Sequence, residues 1–105
     1  MDEIIGQCYN EIQTFVRGAS IRISHYDDYI KVVSAFKGDK IIPLLFVWKS
    51  KQYKGFKVVA SWQIHWGEGK RVFFTLDMDK EYLYEIYFDT NTLIWTMNRV
   101  FNNWL

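Results

Sequence analysis

One cysteine, Cys8, leaves no partner for an internal disulfide, so nothing points to an oxidising compartment. The longest apolar run, residues 41–48, is interrupted by the only proline, Pro43. It falls well short of the roughly 20 apolar residues that span a bilayer. Asp2 and Glu3 replace the basic start of a signal peptide, so a cytoplasmic, non-membrane protein is expected. There is no internal repeat, low-complexity tract or linker, and 105 residues suit one domain over 1–105.

Signatures of chemistry are also missing. The two histidines, His25 and His65, have no spacing that would pair them on a metal. Asp77, Asp79 and Glu81 imitate the opening of a calcium loop, but the loop then needs Gly at its sixth position and Glu at its twelfth. Tyr82 and Phe88 stand there instead. Gly67-Glu68-Gly69-Lys70 is followed by Arg71, Val72 and Phe73, which suits a hairpin and not a phosphate-binding loop. Cys8 lies on an apolar stripe, as a buried and inert thiol does. No enzyme activity, metal, cofactor or small-molecule ligand is expected.

What is present is apolar and aromatic: 50% hydrophobic residues and 19% Phe, Trp and Tyr. That excludes a disordered chain. Ile5, Cys8, Ile12 and Phe15 recur at helical spacing, with Asp2 as N-cap and Gly18 as terminator, which predicts a helix over 1–18. From residue 19 the period becomes two. Residues 29–36, 41–48, 56–66, 71–78 and 82–88 read as strands. Lys37-Gly38-Asp39-Lys40, Lys49-Ser50-Lys51, Gly67-Glu68-Gly69-Lys70 and Asp89-Thr90-Asn91-Thr92 read as turns. Pro43 lacks an N–H and belongs at an edge, a strand start or a bulge. Phe56, Val58, Ala60, Trp62, Ile64 and Trp66 form one row, and a bulge at Gly55 would bring Tyr53 into phase with it. The segment from Leu93 onward fits both helix and strand periods. The fold class expected is α+β and mostly β: an N-terminal helix, then a five- to six-stranded antiparallel meander that stays open or curls into a small SH3-like barrel.

Ile41-Ile42-Pro43-Leu44-Leu45-Phe46-Val47-Trp48, Lys49-Ser50-Lys51-Gln52-Tyr53, Tyr84-Glu85-Ile86-Tyr87-Phe88 and Trp95-Thr96-Met97-Asn98-Arg99-Val100-Phe101 carry a likeness. In order and spacing, residues 38–101 resemble an uncharacterised group of small bacterial β-domains. Ser50 stands where such domains usually have Gly, and the N-terminal helix is an addition. The resemblance implies an SH3-like or barrel-like domain with a strand over 95–101, and it implies no activity.

Charge is distributed unevenly. Residues 31–71 hold nine Lys/Arg against Asp39 and Glu68, a net of +7 in a chain of net +1. Trp48, Lys49, Lys51, Tyr53, Lys54 and Lys57 interleave aromatics with cations, the composition of a contact ribbon. Asp77, Asp79, Glu81 and Glu85 form an acidic counterpart. The expected function is a non-enzymatic binding module, of adaptor, inhibitor or immunity type. It would contact a protein partner, or a second copy of itself, through this polarised β-surface. The alternative is nucleic acid bound by the basic ribbon 49–57, which the sequence pI of about 7.8 disfavours.

Overall fold

The computed structural model describes residues 10–16, 19–78 and 81–102, and the backbone only for residues 10–22. Every regular element among them is a strand: β1 (Asn10–Val16), β2 (Ala19–Lys37), β3 (Lys40–Trp48), β4 (Lys51–Lys54), β5 (Lys57–Trp66), β6 (Gly69–Asp77), β7 (Tyr82–Asp89) and β8 (Ile94–Asn102). All pairings are antiparallel. Among the described residues no helix is long and apolar enough to cross a membrane.

The helix expected over 1–18 is therefore corrected over Asn10–Val16, which pairs with β2 from Asn10 opposite His25 to Val16 opposite Ala19. The rest of that segment lies outside the described residues. A helical stripe and a strand face coincide over so short a window, since Ile12, Thr14 and Val16 also alternate. Pairing with β2 decides between them, because it gives the backbone groups along one side of Asn10–Val16 their hydrogen-bond partners.

The strand count rises from the expected five or six to eight, and the meander is broken once. The order is β4-β3-β2-β8-β7-β6-β5, with β1 on β2 outside that path. Two runs of hairpins, β2-β3-β4 and β5-β6-β7-β8, are joined where β2 meets β8. The nineteen residues of β2 serve three neighbours: Ala19 to His25 lie against β1, Ile23 to Ile30 against β8, and Lys31 to Lys37 against β3. A register shift between His25 and Asp28 lets the strand bend there.

β4 and β5 end the sheet at opposite extremes, yet only Gly55 and Phe56 separate them in the chain. The sheet must curl until its two ends meet there. It stays open, because β4 and β5 do not pair, so the barrel alternative is not realised. The core fills the concave side. Ile30, Phe46, Trp48, Phe74, Leu76, Ile86, Trp95 and Met97 form one buried cluster, with Ile41, Tyr53, Phe56 and Tyr84 packed against it. At roughly 1.5–3 kcal/mol per large apolar side chain, this cluster dominates the stabilisation.

Pro43 lies beside a register shift that leaves Leu44 unmatched, one of the positions a residue without an N–H tolerates. The bulge expected at Gly55 is found instead between Val58 and Ala60. Gly55, with φ of 81°, turns the chain from one end of the sheet to the other.

Candidate functional site: the open edge of the sheet

The shift at Val59 re-aims the whole of β5. Residues opposite each other on paired strands share a face. Val58 faces Leu76, Ser61 faces Phe74 and Gln63 faces Val72, so these look into the concave side. Trp62 faces Phe73, Ile64 faces Arg71 and Trp66 faces Gly69 on the convex side. The single row expected from Phe56 to Trp66 is thus split between two faces. Val58-Val59-Ala60, three adjacent apolar residues inside an otherwise alternating strand, is the signal that could have located the shift.

The convex side carries a connected aromatic group. Trp62 stacks on Phe73 with ring centroids 5.3 Å apart and planes within 2°. Phe73 meets Tyr87 at 5.1 Å. The Arg71 guanidinium lies 3.8 Å from the Trp66 ring and 4.6 Å from that of Tyr87. Its Nε donates to Asp89 at 3.2 Å, which fixes the cation in place. Phe73 and Tyr87 are buried beneath this layer, whereas Trp62, Ile64 and Trp66 are 39%, 41% and 47% exposed.

All ten residues of β5 are exposed, and β6 is its only strand neighbour among the described residues. One long side of its backbone therefore faces away from the sheet. Such edges are ordinarily blunted by charge, proline, a bulge or a very short strand, and β5 has the shift at Val59 near its start. β5 contains no acid and no proline, and its one lysine, Lys57, stands at the start.

On the concave side the free edge borders a cleft of about 420 Å³. β4 covers only residues 45–48 of β3, so residues 40–44 have β2 alone beside them among the described residues. Ile41, Ile42 and Pro43 from this bare stretch contribute to the lining, with Val58, Val72 and Phe74 from β5 and β6. Lys40, Lys70, Asp39, Gln63 and Thr90 add polar groups.

The residues expected to make contacts are distributed differently. Lys49, Lys51, Lys54 and Lys57 are exposed. Trp48 is buried: its indole N–H donates to Asp28 Oδ2 at 2.9 Å, and its ring meets Tyr26 edge-on at 5.0 Å. Tyr53 stacks on buried Phe46 at 4.6 Å, and burial raises its phenol above the usual value. Lys49 lies over Tyr26 and Trp48, and Lys51 over Tyr53. Lysines thus lie over rings that belong to the core. Of the acidic residues, Glu81 is exposed, Asp77 is half-buried, and Asp79 lies outside the described residues. Glu85 is 2% exposed, and its carboxylate accepts from Arg99 Nη2 at 2.7 Å and Nε at 3.1 Å, and also from Asn98. Those bonds tie Glu85 to β8 and withhold it from a partner.

Among the described residues no group of three or more His, Cys, Asp or Glu could hold a metal ion. The features that sequence reasoning did not anticipate are the free β5 edge, its aromatic layer and the cleft. Comparison of the chain with family models, with curated proteins and with solved structures returns no match, so its role must be argued from this geometry.

Proposed function

We propose that the protein is a non-enzymatic binding module that takes a protein partner on the free β5 edge. The supporting observation is that β5 is exposed along its full length, carries Trp62, Ile64 and Trp66 in the open, and beyond Lys57 and the shift at Val59 has no charged residue, proline or bulge to guard the edge. An extended segment added to such an edge gains main-chain hydrogen bonds, and its alternate side chains find pockets on the two faces. Tryptophan and arginine are the residues on which interface energy concentrates, and Trp62, Trp66 and Arg71 lie together here.

Affinity capture with the wild type and with Ile64→Lys tests the reading. Ile64 is exposed, so the variant should melt within a few degrees of the wild type. A partner retained by the wild type should be lost by the variant. Retention of the same partner by Ile64→Lys removes β5 as the interface. The nucleic-acid alternative draws support from the exposed Lys49, Lys51 and Lys54, but Trp48 and Tyr53 beside them are engaged in the core. It predicts salt-sensitive binding that Lys49→Glu/Lys51→Glu/Lys54→Glu abolishes.

A further inference from the structure

We propose that the cleft between β3 and β5 receives an extended segment of the partner in which apolar and acidic side chains alternate, so that the inserted strand pairs with β5 and fills the opening in the sheet. This rests on the reading of β5 as the binding edge and names the chemistry that edge would accept.

Three observations converge. The first is topological. The sheet ends meet at Gly55 and Phe56, where Phe56 packs 5.7 Å from Phe46, and are not paired beyond it. β4 stops after four residues, so among the described residues no strand pairs with residues 40–44 of β3 on the side towards β5. The missing piece of the curl is one strand. The second is the space itself, about 420 Å³, within the range of roughly 300–1,000 Å³ typical of ligand sites. The same residues, Ile41, Pro43, Val58, Val72 and Phe74, line it from both sides, so one occupant would touch both walls. Inward side chains of an added strand would meet this apolar lining, at the two-residue period of a strand.

The third is charge. Lys40 and Lys70 are exposed beside the cleft, and Lys57 stands at the start of β5, across from Asp77 on β6. Asp39 is the only acid in the lining. A basic strand would be repelled, whereas a strand whose carboxylates reach Lys40 and Lys70 would be drawn in. A second copy of this chain fits less well, because its own free edge, β5, bears no acid.

The test is a selection of randomised twelve-residue peptides displayed on phage against the intact protein. The enriched sequences should alternate apolar and acidic residues. A synthetic peptide of the consensus should slow amide exchange along β5 and bind at least tenfold more weakly to Lys40→Glu/Lys70→Glu. Both lysines are exposed, and unchanged melting of the variant verifies its fold. Enrichment of basic or patternless peptides, or of none, overturns the proposal. So does a dimer in solution that Ile64→Lys dissociates, which would give the edge to a second copy. Tight binding of dodecanoate with no peptide enriched would give the cleft to a small amphiphile. If selected peptides depend on Ile64 but not on Lys40 and Lys70, the β5 reading stands and the insertion fails. If they depend on neither, both fail.

Discussion

Lys49 and Ser50 both adopt left-handed backbone, with φ of 53° and 63°, to close the hairpin between β3 and β4. Paired positive φ angles match the twist of the flanking strands, which is why Asn-Gly is the favoured pair there. A residue with a Cβ is disfavoured in that region by about 1–2 kcal/mol relative to glycine. Ser50→Gly should therefore raise stability by about 1 kcal/mol, after allowing for the greater freedom of glycine in the unfolded chain. Urea unfolding with an unchanged slope is the check, and a loss of stability would refute the argument. Ser50 is a better site than Lys49, whose ammonium lies 4.8 Å from the Trp48 ring and would be lost on substitution. Lys49-Ser50-Lys51 was legible as a turn from its polarity, but its strain was not, because strain depends on the angles the two strands impose.

At the scale of elements, the β7–β8 turn holds the far end of the β5–β6 hairpin. Asp89 accepts from the backbone N–H of Asn91 at 2.8 Å and of Thr92 at 3.3 Å, besides Arg71. Thr90 N donates to Lys70 O, Lys70 N donates to Thr90 Oγ1, and Asn91 Nδ2 donates to Trp66 O at 2.7 Å. A Cβ at Gly69 would collide with Thr90 Oγ1 and lie 2.6 Å from Asn91 Oδ1, so this glycine is required by the clasp. Burial alone would raise the Asp89 carboxyl, but the bonds from Asn91, Arg71 and Thr92 outweigh it and hold the group below its ordinary value. A carboxyl lowered in the folded state binds fewer protons there than in the unfolded state. Its stabilisation is complete above the unfolded value, about 3.9, and declines as pH falls through the lower folded value. Melting temperatures between pH 5 and pH 2 should fall more steeply for the wild type than for Asp89→Asn; parallel curves would contradict this. Asp89-Thr90-Asn91-Thr92 read correctly as a turn, since Asx turns are local. Its grip on a hairpin some twenty residues earlier was not legible, because that contact exists only once β6 and β7 are paired.

For the molecule as a whole, stability should fall from the centre of the sheet to its ends. β8 and β7 each have strands on both sides and supply Trp95, Met97 and Ile86 to the core, whereas β5 has one strand neighbour among the described residues and no buried residue. Native-state hydrogen exchange should show β7 and β8 opening only with global unfolding, and outward-facing amides of β5 exchanging by local fraying. Equal protection in β5 would mean that its edge is already covered. Much of the architecture followed from the order of the residues. Alternation marks the β-rich regions, and Gly38, Gly67 and the Asp89 turn separate them, because strand period and turn chemistry are local properties. The strand over 94–102 was not separable from a helix by its spacing, which fits both periods, and is fixed by pairing with β2 and β7. Pairing across the molecule was not local. The junction of β2 with β8, the strand state of Asn10–Val16, the shift at Val59, the burial of Trp48 and Glu85 and the packing of Tyr53 on the core all depend on which distant strand supplies the next hydrogen bonds. The sequence by itself thus determined a mostly β, antiparallel protein with a basic middle. Tertiary structure decided which aromatics became core, and it left β5 as the uncovered edge, because a curled sheet that does not close must expose the strand at its end.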